Sequence, residues 1–205
     1  MSPFPPDFFT RADDGPDSVF YDFDRFVTHI DARAIAAVGQ LYEHLGIEGR
    51  VLDLMSSWIS HFLSPPRELV ALGMNEHELA ANSAADAYVV HDLNTTPELP
   101  FDDARFDAVT CCVSVDYLTQ PIAVFAEAQR VLVPGGLMVC TFSNRCFPTK
   151  AIRGWLASSE NERCRIVAEY FRQSGGWSEP TIALCTPPDT PGDPLYAVWA
   201  TTAAE

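Results

Sequence analysis

Residues 99–142, LPFDDARFDAVTCCVSVDYLTQPIAVFAEAQRVLVPGGLMVCTF, decide the fold. Phe106 to Val113 is a nearly unbroken apolar run bounded by charge, the pattern of a strand covered on both faces. Pro121 to Leu132 then sets Ile122, Phe125, Ala126, Gln129 and Leu132 at helical spacing. Pro134-Gly135-Gly136 is read as the stop of that helix, because proline cannot continue it and glycine frees the backbone. Leu137 to Phe142 follows as a second buried strand. Two buried strands joined through a helix make a βαβ crossover, and so a parallel sheet.

Working outward from that unit, Arg50 to Leu54 reads as the first strand, Glu68 to Leu72 as the second and Tyr88 to His91 as the third. Asn75 to Ser83 is predicted as a helix, and Ile59 to Phe62 as the start of a short one cut off at Pro65-Pro66. Val19 to Leu45 is predicted helical with a break near His29–Asp31, where Asp31 caps a helix carrying Ile35, Val38, Leu41, Tyr42 and Leu45. Residues 1–18, rich in proline and aspartate, read as a loose arm. Beyond Phe142 come a loop to Lys150, helices over Lys150–Leu156 and Glu160–Gln173, and strands Thr181–Thr186 and Leu195–Thr201. The turn PPDTPGDP lets these last two strands pair as an antiparallel hairpin at the sheet edge. The expected fold class is α/β, a doubly wound, seven-stranded, mostly parallel sheet with an antiparallel C-terminal hairpin. Residues 1–47 are expected as an N-terminal arm and lid helices on a single core, 48–205.

Composition narrows the function. A chain of 205 residues with 47% apolar content suits one domain with a sizeable core. No apolar run approaches the roughly 20 residues of a membrane span, and MSPFPPDFF lacks the basic start of a signal peptide. A cytoplasmic protein is expected. The net charge of −15 argues against a nucleic-acid partner, whose phosphates it would repel, and favours a small-molecule substrate. The six cysteines form no CxxC pair and read as reduced core thiols. Cys146 is the exception worth testing, since a thiolate beside Arg145 would be reactive. His29, Asp31, His61 and His91 lack metal-ligand spacing, and no metal is expected.

LPF at 99–101, FDAV at 106–109 and VLVPGG at 131–136 resemble the second half of class I S-adenosylmethionine-dependent methyltransferases, notably the large small-molecule group. The resemblance runs from about residue 48 to 145. It implies S-adenosylmethionine as cofactor and a small acceptor, whose atom is oxygen, nitrogen, sulfur or carbon. In the family a strand leads into V-L-D-L-G-C-G-T-G. Here Val51-Leu52-Asp53-Leu54 keeps the strand, while Met55, Ser57 and Ile59 stand at the glycine positions. Glycine serves there because a Cβ blocks close approach to a ligand or strains the turn. Ser56 and Ser57 remain as hydroxyl donors and helix caps, and Trp58 as a stacking surface or a core side chain. Gly73 falls at the acid that takes the ribose hydroxyls, with Met74 beside it and Asn75 or Glu76 as substitutes. Asp53 is implied at the methionine amino group, His91-Asp92-Leu93 near adenine, and Cys111, Ser114 and Tyr117 beneath the cofactor. These departures also admit a chain of this fold that has lost the cofactor and acts as a binding or regulatory module.

Methyl transfer is a one-step displacement, so the protein must align two reactants and take a proton. Tyr21, Arg25, His29 and Asp31 form a dense polar set in an apolar segment, either an ordinary surface helix or a lid. As a lid, His29 is the base, with Tyr21 beside it, and Arg25 orients a carboxylate. Asp116, where the family often has histidine, is a second candidate base. His61 faces solvent or lines the site from below. Asn144 and Arg145, in the loop after the fifth strand, are candidate substrate contacts.

Overall fold

The structure is a computed structural model and describes residues 3–188 and 190–203. Seven strands form one sheet: β1 (Arg50–Leu54), β2 (Glu68–Gly73), β3 (Ala87–Val90), β4 (Phe106–Cys112), β5 (Leu132–Phe142), β6 (Thr181–Leu184) and β7 (Tyr196–Thr201). Their spatial order is β3-β2-β1-β4-β5-β7-β6. The first five strands pair in parallel, and β7 runs antiparallel to both β5 and β6. The expected doubly wound sheet with its C-terminal hairpin is therefore present. Strand order reverses between β1 and β4, which fixes a crevice at their carboxyl ends.

Among the described residues six α-helices accompany the sheet: α1 (Asp17–Phe20), α2 (Ala32–His44), α3 (Glu76–Ala80), α4 (Pro121–Val131), α5 (Arg153–Leu156) and α6 (Glu160–Ser174). Two apolar clusters cover its faces. One gathers α4, α5 and α6 around Phe106, Phe125, Phe142, Trp155 and Phe171; the other packs α2 through Val38 and Leu41 against Val51, Leu69 and Val139. Each such buried side chain contributes about 1.5–3 kcal/mol. The α4 face is rotated by one residue from the expected one: Val124, Phe125, Ala128 and Val131 are buried, while Ile122 and Gln129 are only partly covered.

Four other expectations change. Pro134-Gly135-Gly136 does not separate helix from strand, because α4 already stops at Val131. Phe106 pairs with Leu132 and Ala108 with Leu137, so β5 takes the Pro-Gly-Gly in as a bulge. No helix forms over Ile59–Phe62. There Ser56 and Ser60 bond Asp53, Ser57 bonds Glu78, and Asn82 bonds Ser57 O and Ser60 Oγ, so side-chain bonds replace a helical ladder. Residues 21–31 are irregular rather than helical, and α5 is one turn rather than the whole of 150–156.

Nor are residues 3–16 loose. Phe4, Phe8 and Phe9 pack on the larger cluster, with Phe4 5.6 Å from the Tyr170 ring centre, and Thr10 O and Phe8 O accept from Arg153 N and Gly154 N. Lys150 is 1% exposed and binds Asp17 Oδ1 at 3.0 Å, Asp13 Oδ2 at 3.1 Å and Gly15 O at 2.8 Å. Arg11 holds the other side of Asp17. A buried charge is tolerated when paired in this way, and the pairing fixes where the N-terminal segment crosses the sheet edge. Met1 and Ser2 of the expected arm, and Asp189 of the Pro-rich turn, lie outside the described residues.

Candidate active site

A cavity of about 270 Å³ opens at the carboxyl ends of β1, β2 and β4. The strand ends supply Met55, Ser56, Ser57, Gly73, Met74 and Ser114. His91, Asp92, Leu93 and Asn94 close one side, and Tyr21, Arg25 and His29 from the N-terminal segment cover it with Arg145, Cys146 and Phe147. A smaller cavity beside it holds Asp53, Trp58 and His61, and His29 lines both.

The loop after β1 explains how the chain manages without glycines. Met55, at the first glycine position, has φ +54°, and Val113, after β4, has φ +49°. Both lie in the left-handed region that costs an L-residue about 1–2 kcal/mol. Both line the cavity, where such strain tends to gather. Ser56 N donates to Leu72 O at 2.8 Å, folding the loop over the end of β2. An ideal Cβ on Gly73 would lie 2.2 Å from Ser56 O, so no acidic side chain fits at that position.

Glu78 is the acid that sequence reading missed. It is 8% exposed, lines the cavity from α3, and accepts from Ser57 Oγ and from Arg25 N, each at 2.5 Å. Its signal was the spacing Asn75-Glu76-His77-Glu78, a capping pattern. Asn75 does cap α3, accepting from Glu78 N at 3.0 Å, but Glu78 turns to the cavity instead of back to the cap. Asn75 Nδ2 meanwhile holds Tyr21 O and Asp24. Glu76 does not line the cavity. Asp17, Cys146 and Phe147 were also missed as lining residues. Burial acts most strongly on the Asp17 carboxyl and raises it, but hydrogen bonds from Arg11, Asn94 and Lys150 outweigh that and leave it below the usual range.

Several predicted residues stand elsewhere. Asp53 is 4% exposed; its carboxylate accepts from Thr110, Ser56 and Ser60 hydroxyls at 2.7 Å each and faces the smaller cavity. Trp58 donates to Val27 O and meets Phe26 edge-on, so it pins the N-terminal segment rather than lining the main cavity. Cys111 is buried beneath the site next to Cys140, and Asn144 is exposed outside it. Asp31 caps α2 through Ala34 N and accepts from Asp193 N, away from the cavity. Asp116 is 1% exposed and points away as well; burial pushes its carboxyl up to about 7. His61 lines only the smaller cavity, and burial lowers its imidazole despite the Asp53 charge.

The rest converge. His91 Nε2 meets Thr96 O at 2.7 Å, Asp92 caps the turn through Asn94 N and Thr95, and Leu93 is buried between them. Tyr117 OH accepts from Phe147 N at 2.8 Å. Ser114 Oγ lies 3.3 Å from Met55 O. Burial raises the Tyr21 and Tyr117 phenols above their ordinary range, so both are donors rather than bases. Arg25 donates to Phe20 O and Phe23 O and stacks 4.5 Å from the Phe20 ring centre, so its fork is turned on its own segment. Arg145 spends only Nε, on Asp193 at 2.9 Å. His29 meets Phe147 edge-on; burial lowers its imidazole, Glu78 opposes this, and Arg25 adds to it. Burial raises the Cys146 thiol, so Arg145 does not make it a reactive thiolate. Among the described residues no group of three or more His, Cys, Asp or Glu could hold a metal ion, and no helix is long and apolar enough to cross a membrane.

Comparison with known proteins agrees with this geometry. Residues 48–140 match the family model of a methyltransferase domain. A malonyl-[acyl-carrier protein] O-methyltransferase of Hahella chejuensis is 33% identical over 117 residues, covering 51% of this chain and 41% of that protein. A mitochondrial 2-methoxy-6-polyprenyl-1,4-benzoquinol methylase of Rattus norvegicus is 36% identical over 74 residues, 36% of this chain and 22% of that one. The chain thus matches less than half the length of these relatives. Among solved structures, the Burkholderia thailandensis 1,6-didemethyltoxoflavin-N1-methyltransferase, with 1,6-didemethyltoxoflavin and S-adenosylhomocysteine bound, superposes with a TM-score of 0.61 at 19% identity, covering 84% of this chain and 79% of that one. The [4+2]-cyclase SpnF superposes with a TM-score of 0.59 at 14% identity, covering 83% and 82%. Residues 48–140 are thus similar to a methyltransferase domain, and the chain that carries them has the class I S-adenosylmethionine-dependent methyltransferase fold.

Proposed function

We propose that this protein transfers the methyl group of S-adenosylmethionine to a small-molecule acceptor. The observation that carries the reading is the cavity at the switch point, covered by His29, an imidazole at its solvent-exposed rim with no hydrogen-bond partner among the described residues. The cofactor supplies an electrophilic methyl on a sulfonium sulfur. The residues present fit it. Met55 takes the left-handed backbone that glycine would give, Met74 and Leu93 offer apolar walls, and the buried Glu78 and the Asp92 turn offer acceptors.

Methyl transfer needs alignment first and proton removal second. Tyr21 and Phe147 roof the cavity and keep water from the reacting atoms. Arg145, with its Nη donors unspent, orients an acceptor bearing an anionic or carbonyl group. His29 Nδ1 or Nε2 takes the proton that the acceptor loses. The charge of −15 supports a small molecule over a nucleic acid, and six free thiols suit a reducing, cytoplasmic setting.

One observation favours a second reading, a domain that has lost the cofactor: the Asp53 carboxylate already accepts from three hydroxyls, which leaves a single acceptor site on Oδ1. Titration calorimetry with S-adenosylmethionine and S-adenosylhomocysteine separates the two. Saturable binding with a rise in melting temperature is expected. No heat and no shift at millimolar ligand would leave the second reading standing alone.

A further inference from the structure

We propose that Glu78 takes over recognition of the cofactor's ribose diol, and that the same carboxylate ties the bound nucleoside to the covering segment 17–31. This rests on the S-adenosylmethionine reading above. The usual place for a diol acceptor, the end of β2, is closed in this chain. Gly73 stands there with Ser56 O 2.2 Å from where its Cβ would be, and the Ser56 N to Leu72 O bond holds that contact shut. A carboxylate must therefore come from another element.

Three carboxylates line the main cavity, and two are committed elsewhere. Asp17 is held by Arg11, Lys150 and Asn94. Asp92 caps its own turn through Asn94 N, Thr95 N and Thr95 Oγ1. Glu78 is 8% exposed and spends one bond on each oxygen, Oε1 on Arg25 N and Oε2 on Ser57 Oγ. A carboxylate oxygen has two acceptor sites, so each keeps one, which suits two vicinal hydroxyls. Asn75 presets the carboxylate by capping α3, and Ser57 anchors it to the β1 loop. Gly73 and Met74, the end of β2, line the cavity beside it.

The bond to Arg25 N adds a consequence. Arg25 is the knot of segment 17–31, stacked on Phe20 and bonded to Phe20 O and Phe23 O. A diol that orders Glu78 thereby orders the acceptor for Arg25 N. Nucleoside binding and closure of the segment are then one event, as expected when two groups share a charged acceptor.

The experiment compares S-adenosylhomocysteine with its 2′,3′-dideoxy analogue by calorimetry, on the wild type, Glu78→Gln and Glu78→Ala, with thermal melts as a check of folding. Wild type should lose roughly 10- to 100-fold in affinity when the diol is removed, the range for hydrogen bonds to a charged group. That ratio should fall to within about threefold in Glu78→Ala and be intermediate in Glu78→Gln, which keeps one oxygen. Because each ratio is taken within one variant, a general loss of stability cancels. In parallel, S-adenosylhomocysteine should slow proteolysis between residues 17 and 31 in wild type and not in Glu78→Ala. An unchanged ratio in Glu78→Ala, or a wild type indifferent to the diol, overturns the assignment while leaving cofactor binding intact. A wild type that binds neither ligand removes the underlying reading as well.

Discussion

Gly73 and Ser56 are in backbone contact: a Cβ built on Gly73 would stand 2.2 Å from the Ser56 carbonyl oxygen. The end of β2 and the loop after β1 are thus packed as closely as two main chains allow. Gly73→Ala should destabilise the fold by about 1–3 kcal/mol, the cost of overpacking a tight site. Gly73→Asp, which restores the acid typical of the family, should cost more and should not raise cofactor affinity. Urea unfolding of both variants checks this. A Gly73→Ala midpoint equal to wild type would mean the loop yields freely.

His29 sets the expected pH dependence of turnover. Burial lowers its imidazole below the ordinary value of 6.5, so it is neutral and basic at pH 7. The kcat profile should be flat above 6.5 and fall on acidification through the lowered value. Stability follows the same sign: the unfolded chain takes up the proton first, so the contribution is present above 6.5 and is lost as pH falls. His29→Ala should cut kcat by roughly 100-fold or more, as for a positioned base, with S-adenosylhomocysteine affinity within about threefold of wild type. Turnover that survives the substitution would remove His29 from the chemistry.

How far the sequence was legible depended on which bonds set each feature. The βαβ unit from Phe106 to Phe142 was readable because buried strands declare themselves by local apolar runs. Asp31 and Asn75 read as helix boundaries for the same local reason, and both cap helices. The capping spacing marked Glu78, but its turn into the cavity was not legible, since that role arises from Ser57, 21 residues away, and Arg25, 53 residues away. Asp53 looked available to a ligand because nothing local revealed Thr110, 57 residues on, as its partner. The arm looked loose on its proline content, and only tertiary packing on Tyr170 and Gly154 corrects that.

Asp116 should show its displacement from the site in the pH dependence of stability. Burial raises its carboxyl from 3.8 to about 7, with Oδ2 lacking any hydrogen-bond partner. The folded state therefore holds a proton that the unfolded chain releases, so stability is fully present below pH 3.8 and is lost as pH rises through 7. Asp116→Asn removes the titration. It should match wild type near pH 4 and exceed it at pH 8 by at most about 4 kcal/mol, with activity retained. A variant less stable than wild type at pH 8 would show that the native group is ionised and paired instead.

Met55 offers the sharpest test of how the chain rebuilt its cofactor loop. Its φ of +54° is a conformation glycine adopts freely and methionine at a cost of about 1–2 kcal/mol. Its side chain is partly buried against the larger cluster, and that packing offsets the strain. Met55→Gly relieves the one and forfeits the other, so stability should change by less than about 1 kcal/mol in urea melts. The same change removes a side chain from the cavity wall, and S-adenosylhomocysteine affinity should rise. The backbone would then already be in the glycine-type path, with methionine a substitution laid over it. A loss of more than about 2 kcal/mol would mean that side-chain packing, not backbone inheritance, holds the loop in place.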